Sequence, residues 1–199
     1  MKKNFHSYII QRRFVVVLSL IILALIFFFN NTDFIVRAIL TIIFIILFYI
    51  IDHLFDLRYR HYHYLFVIII AVSSFLLSPL YFKFIYYDKV LHFFFSILLS
   101  SLIFHLVSKL KLALKWKIVF TFFIVVACLG LFEIGEYILD LFFDFKFQGV
   151  FLRNIQTLEK FHVVQSPIDD TMSDLIFGVV GSALYLITAF LKKLINRTP

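Results

Sequence analysis

Three pairs of ionisable residues stand at the borders of long apolar runs, where charged side chains are costly and usually serve a function. The members of each pair are three or four residues apart, so an α-helix places both side chains on one face. The pairs are Asp88 and His92, Glu133 and Glu136, and Asp170 and Asp174. The sequence therefore presents three short polar faces on otherwise apolar elements.

Carboxylate oxygens with one imidazole are a ligand set for a hard or borderline divalent ion such as Mg²⁺, Mn²⁺ or Zn²⁺. Several carboxylates close together also repel one another unless a cation is present. The six residues are thus candidate metal ligands, and Glu133 or Glu136 is in addition a candidate general base. The same residues are also compatible with a purely structural role, as acid–histidine pairs that hold helices together.

The elements that carry these residues belong to a membrane protein. Of 199 residues, 63% are hydrophobic and 16% are charged, whereas soluble domains are about half apolar with about a quarter charged. A chain of this length cannot bury so much apolar surface in a water-soluble core. The net charge of +7 is spread over short basic clusters between apolar runs, which argues against a nucleic-acid partner.

Six apolar segments are long enough to cross a bilayer, which takes about 20 residues, or fewer when flanking side chains reach the interface. All six are expected to be helical, because a lone strand would leave backbone groups unpaired in lipid. The segments are 14–30, 34–51, 65–82, 89–108, 118–143 and 171–191. The predicted fold is an all-α bundle of six transmembrane helices that forms one domain over residues 1–199.

Basic residues set the predicted orientation of this bundle. They concentrate at both termini and in the second and fourth connections between spans. The positive-inside rule therefore places both termini in the cytoplasm. This topology predicts a multi-pass membrane protein, whose partner is the lipid bilayer, and it brings the three pairs together at the extracytoplasmic end.

The last outer connection, from Asp144 to Asp169, is the longest. Its apolar residues recur at helix-like spacing and bases occupy much of the remainder, which predicts an amphipathic helix at the outer interface. Those apolar residues are Phe147, Val150, Phe151, Ile155, Leu158 and Phe161. Such a helix fits both a lid over the acids and a simple anchor, and its bases fit lipid headgroup phosphates.

Three stretches carry a resemblance to a known family. They are DKVLHFF at 88–94, EIGEY at 133–137 and DDTMSDLIFGVVGS at 169–182. Their order and spacing resemble the YjdF-type family of bacterial multi-span membrane proteins of unknown function, and more distantly the VanZ-like proteins. The chain departs from the family's Gln-Gly-Asp pattern, since Gln165-Ser166-Pro167 stands in that place and Gln148-Gly149 occurs earlier.

The resemblance implies a six-span protein of unassigned activity, and the VanZ-like proteins suggest a link to the cell envelope. The residues favour a carboxylate and histidine site that binds a divalent metal and a lipid or envelope phosphate. An ion- or proton-coupled transporter and a non-catalytic structural or resistance factor of the envelope remain alternatives. Whether the protein is an enzyme stays open, because none of the familiar hydrolase or phosphatase signatures occurs in the sequence.

Overall fold

A computed structural model describes Ile21 and residues 32–143, 147–153 and 161–195. Apart from Ile21, the first predicted span, 14–30, lies outside the described residues. The chain forms two compact units, residues 1–78 and residues 79–199. The expectation of a single domain over residues 1–199 stays a prediction.

The described residues are mainly helical. The helices are α1 (Thr32–Leu54), α2 (His61–Ala71), α3 (Tyr87–Ser108), α4 (Leu114–Phe143) and α5 (Pro167–Ile195). Within the described part of the chain, all of these except α2 are long and apolar enough to cross a membrane. They coincide with the predicted spans 34–51, 89–108, 118–143 and 171–191. Six spans and cytoplasmic termini remain predictions.

The third predicted span, 65–82, is not one continuous helix. The apolar helical segment runs from His61 to Leu76, with its last five residues in a π-helical turn, and a 3₁₀ segment follows over Ser78–Phe82. Pro79 has no N–H to donate and its ring clashes with a preceding helical turn, so the helix cannot continue through it. The helical part is shorter than the roughly 20 residues that span a bilayer.

In the first unit, α1 and α2 pack around aromatic side chains. The Phe48 ring stacks on Tyr59 at 5.3 Å between centroids and meets Tyr64 edge-on at 5.2 Å. Asp52 near the end of α1 accepts a hydrogen bond from the Tyr59 backbone N–H at 3.2 Å and another from the Tyr64 hydroxyl. These bonds fix the connection between the two helices.

In the second unit, α3 and α5 run parallel and touch closely. A Cβ atom on Gly181 would collide with the Phe93 carbonyl and with Ser96 Oγ, so only glycine permits this approach. Further along both helices, Ser100 Oγ donates to Ser182 Oγ at 2.9 Å. In the sequence, Gly178 and Gly181 follow Asp170 and Asp174 along the last predicted span, and small residues there predict a close helix approach, which is confirmed at Gly181.

Helix α4 runs antiparallel to α3 and α5. Its Glu133 lies beside His92 near the start of α3, and its Leu129, one turn earlier, lies against Gly178 of α5. The second half of α4 therefore accompanies the first halves of α3 and α5. Outside these contacts the helices expose large apolar side chains such as Phe123 and Ile176, as lipid-facing helices do.

The predicted interfacial helix of the last connection is wrong for residues 150–153 and 161–165, while Ile155 and Leu158 lie outside the described residues. Residues Val150–Arg153 form β1, which pairs antiparallel with β2, Phe161–Gln165. Apolar spacing alone does not separate a short helix from short strands, and the β-branched and aromatic residues here favour strands. Gly149 has a φ of 96°, which glycine adopts readily and which starts the hairpin. The described residues are thus all-α apart from this hairpin.

Candidate functional site

The N-terminal ends of α3 and α5 bring Asp88, His92 and Asp174 together. One ligand atom from each of these residues lies within 4.8 Å of the other two. His92 Nε2 is 3.6 Å from Asp88 Oδ1 and 4.0 Å from Asp174 Oδ1. His92 and Asp174 are buried and Asp88 is partly exposed, so the group sits just inside one end of the bundle.

Glu133 of α4 faces the opposite edge of the same imidazole. Its Oε1 atom lies 3.7 Å from His92 Nδ1 and has no hydrogen-bond partner among the described residues. Glu136, one turn later, is half-buried and forms no ion pair within 4.0 Å with any described residue. The two glutamates that share a predicted face thus have different surroundings, and only Glu133 contacts the histidine.

Lys89 is the residue of this site that the sequence analysis does not predict, although it stands directly after Asp88. Its side chain is buried, with 4% of the residue exposed. Its Nζ atom pairs with Asp170, with Asp174 at 2.9 Å and with Asp88 at 3.4 Å. The sequence contains a signal for this role, because a lysine that stands after Asp88 at the start of an apolar run needs a charged partner.

Asp170 is turned toward Lys89 and the hairpin rather than toward His92. One oxygen accepts from Lys89, and Oδ2 accepts from the Gly149 N–H at 2.7 Å. Next to it, Gln148 Nε2 donates to Thr171 Oγ1 at 3.1 Å. Gln148 and Gly149, at the start of the hairpin, therefore contact the first turn of α5.

Gln165, which stands where the resembled family has its Gln-Gly-Asp stretch, makes different contacts. Its side-chain amide donates to Ser173 Oγ and to the Asp169 carbonyl, both at 2.7 Å. Ser166 caps α5 by accepting a hydrogen bond from the Asp169 backbone N–H at 3.3 Å, and its hydroxyl donates to Asp169 Oδ2 at 2.6 Å. Asp169 is exposed and therefore belongs to the cap and not to the buried group.

The buried group carries more negative than positive charge. Asp88, Asp170 and Asp174 surround the single ammonium group of Lys89, and Glu133 adds a fourth carboxylate next to a histidine. Asp174 Oδ1 is buried and lies 2.9 Å from Lys89 Nζ, whereas Glu133 Oε1 is buried and lacks a hydrogen bond to the described residues. A buried charge without full compensation is costly, so this arrangement favours a further cation.

Comparison with known families supplies one finding. A family model described as a predicted membrane protein, DUF2238, matches residues 10–193. The chain belongs to the DUF2238 family. Neither a curated protein nor a solved structure matches it significantly. An uncharacterised membrane family fits the resemblance stated above, while the YjdF and VanZ relations remain resemblances.

Membership of DUF2238 and the apolar helices place the chain in a membrane. The match begins before α1 and ends near the last residues of α5, so it includes every residue of the buried group. The family description names no activity, and the chemistry of the site therefore has to be argued from its residues.

Proposed function

We propose that this DUF2238 chain binds one divalent metal ion through Asp88, His92 and Asp174. The observation that carries the proposal is the convergence of their ligand atoms within 4.8 Å of one another, in a group where buried Asp174 shares the one ammonium group of Lys89 with two other carboxylates. Two carboxylates and one imidazole suit Zn²⁺ or Mn²⁺ better than Mg²⁺, which prefers oxygen ligands and retains much of its water.

The position of Glu133 supports the same proposal. Histidines that bind metals through one ring nitrogen usually donate the other N–H to a carboxylate or a carbonyl. His92 directs Nε2 toward Asp88 and Asp174, and its Nδ1 faces Glu133 Oε1 at 3.7 Å. We therefore assign Glu133 as the residue that orients His92, rather than as a ligand.

Lys89 and Asp170 are the charge partners of the proposed metal ligands. Lys89 contacts three carboxylates, so it offsets part of their mutual repulsion and holds Asp174 in place. Four carboxylates and one ammonium leave an excess of three negative charges if all are ionised, and a divalent ion offsets two of them. Asp170, which pairs with Lys89 and with the hairpin, then positions Lys89 instead of binding the metal.

A metal held by three protein ligands keeps open coordination positions. At the end of a bundle that the charge pattern predicts to be extracytoplasmic, an oxygen of a lipid or envelope phosphate is a suitable additional ligand. This extends the proposal to a phosphate-binding site of the bacterial plasma membrane. Glu136 is the candidate general base there, because it is half-buried and free of ion pairs with the described residues.

An ion- or proton-coupled transporter is the second candidate, since buried hydroxyls continue from the charged group along α3 and α5. Ser96, Ser100 and Ser182 are fully buried, and the last two are hydrogen-bonded. Beyond them the Phe104 and Tyr185 rings meet at 6.3 Å. The polar row among the described residues therefore stops within the bundle, which ranks transport below metal binding.

Equilibrium dialysis of the purified protein against Zn²⁺ and Mn²⁺ tests the metal proposal. We expect one ion per chain in the wild type. His92→Gln and Asp174→Asn each remove a ligand and should weaken binding by more than the roughly 10–100-fold typical of residues that only orient a ligand. Asp169→Asn is the matched control, because Asp169 is an exposed acid in the first turn of the same helix.

The proposal predicts that Asp169→Asn retains wild-type affinity. Equal losses in Asp169→Asn and Asp174→Asn would show that the ion is attracted only by net charge at this end, and the absence of saturable binding would refute the metal site. Absent metal binding together with proton-dependent uptake into proteoliposomes would favour transport. If neither were seen, a non-catalytic envelope factor would be the better description.

A further inference from the structure

The end of the second unit opposite to the acids is purely basic. The parallel course of α3 and α5 and the antiparallel course of α4 bring the lysines of this end together. They are Lys109, Lys111, Lys115, Lys117, Lys192 and Lys193. No aspartate or glutamate occurs between Lys89 and Glu133, or after Asp174. This end therefore attracts anions, and by the positive-inside rule it is predicted to be cytoplasmic.

An apolar groove of about 490 Å³ opens between α4 and α5 next to these lysines. Its volume is within the roughly 300–1,000 Å³ of known small-molecule sites. Lys115 is the only charged residue that lines it. Residues of both helices line it, among them Lys115, Phe122, Ala183, Leu186, Ile187 and Phe190. A ligand that fills it must be apolar along most of its length and polar or anionic at one end.

We propose that this groove binds one acyl chain of an anionic phospholipid, whose headgroup phosphate contacts Lys115. The groove lies between two helices that are long and apolar enough to cross the bilayer, so lipid is the molecule next to it. Lys115 stands in the first turn of α4, and headgroups lie at such helix ends. The charge complementarity and the apolar lining thus point to one occupant.

The headgroup must supply the selectivity of this site. Lipid tails are as apolar as the groove, so moving a tail from the bilayer into it gains packing but no hydrophobic energy. A lysine beside the bound headgroup, in contrast, strengthens the binding of an anionic lipid about fivefold, while lysines farther from the headgroup contribute less because salt screens their charge. We therefore expect the groove to distinguish lipids by headgroup charge when their acyl chains are identical.

Lipid binding by native mass spectrometry tests the proposal with phosphatidylglycerol and phosphatidylcholine of the same acyl chains. Wild-type protein should retain phosphatidylglycerol preferentially, and Lys115→Gln should weaken its binding about fivefold without affecting phosphatidylcholine. Lys111→Gln is the matched control, since Lys111 belongs to the same basic connection, is exposed and does not line the groove. Its effect should stay below about twofold.

A second variant tests the apolar part of the site. Ala183→Leu places a larger side chain in the groove and should reduce the binding of both lipids. Three outcomes would overturn the proposal: equal effects of Lys115→Gln and Lys111→Gln, no headgroup preference in the wild type, or a dimer that Ala183→Leu dissociates while lipid binding persists. Metal binding at the other end should be the same in all three variants, which separates this test from that of the metal site.

Discussion

Two buried aspartates, Asp52 in the first unit and Asp174 in the second, have opposite surroundings. Asp52 is 4% exposed, and each of its oxygens accepts a hydrogen bond from a neutral donor, the Tyr59 N–H and the Tyr64 hydroxyl. Asp174 is 1% exposed, and its partner is the ammonium group of Lys89, which it shares with two other carboxylates. Its Oδ1 atom lies 2.9 Å from Lys89 Nζ and 4.0 Å from His92 Nε2.

This difference separates a structural acid from a candidate ligand. Burial and an apolar environment are common to both residues, so neither feature by itself indicates a function. Both carboxylate oxygens of Asp52 have hydrogen-bond donors, so Asp52 is a satisfied buried acid that stabilises the connection between α1 and α2. Asp174 lies in an excess of like charge that one shared ammonium group offsets only in part, with an imidazole at 4.0 Å, and a bound cation would relieve this excess.

The largest effect is expected when the single ammonium group of the buried group around His92, that of Lys89, is removed. Lys89→Met leaves the surrounding carboxylates without their positive partner and should lower the free energy of unfolding by about 3–5 kcal/mol. Thermal unfolding in detergent measures it. Lys83→Met is the control, because Lys83 is exposed and has no ion pair with the described residues. A loss below about 1 kcal/mol for Lys89→Met would mean that Lys89 behaves as an exposed base.

In the first unit, removal of a neutral donor should have a smaller effect. Tyr64→Phe leaves one buried oxygen of Asp52 without its hydroxyl donor, which typically costs about 1–3 kcal/mol. Tyr62→Phe, the removal of an exposed hydroxyl two residues earlier, should change stability by less than about 0.5 kcal/mol. Chemical denaturation of the two variants compares them directly. Equal stability would contradict a structural role of the Tyr64 bond.

Glu133→Gln separates orientation from ligation in the second unit. It removes the carboxylate that faces His92 Nδ1 but keeps the size of the side chain. We expect zinc affinity to fall about 10–100-fold, as for other residues that orient a metal-binding histidine. The number of ions bound at saturation should remain one per chain. Complete loss of binding would instead make Glu133 a direct ligand.

The smallest effect concerns one phenol beside Asp52. Burial, and secondly the charge of Asp52, raises the pKa of Tyr59 to about 12. Because this pKa is raised on folding, its contribution to stability is present below about pH 10 and is lost as the pH rises through 12. The ultraviolet difference spectrum between wild type and Tyr59→Phe should show this late titration. Asp52→Asn should lower the midpoint only in part, since burial persists, and a midpoint near pH 10 in the wild type would contradict the burial of this phenol.

The sequence was sufficient to predict α1, α3, α4 and α5. A long apolar run that crosses a bilayer forms a helix because a helix satisfies all of its backbone hydrogen bonds internally. The sequence also predicted that Asp88, His92 and Asp174 lie close together. This prediction needs only the helical spacing of the residues and the alternating direction of successive spans, and both follow from the positions of residues in the sequence. The sequence did not predict the partners of Lys89. Those partners are set by the close contact of α3 and α5 at Gly181, which pattern reasoning located but did not connect to Lys89.

The hairpin and the third span show where pattern reasoning failed. The apolar residues between Phe147 and Phe161 fit a helical period, yet the bonds that hold the segment are long-range, from Gly149 to Asp170 and from Gln148 to Thr171. In the third span the average hydropathy concealed Pro79, whose missing N–H ends the helix. Both errors arise because the predictions rest on the spacing and hydropathy of side chains and do not take backbone hydrogen bonds into account.

Metal-dependent unfolding of Asp174→Asn and Asp52→Asn tests the central claim most directly. At a Zn²⁺ or Mn²⁺ concentration about 100 times the dissociation constant, wild type and Asp52→Asn should each gain about 2.7 kcal/mol of stability, while Asp174→Asn gains almost none. This result would assign the cation to the group around His92. An equal gain in all three proteins, or a gain lost in Asp52→Asn and kept in Asp174→Asn, would contradict it.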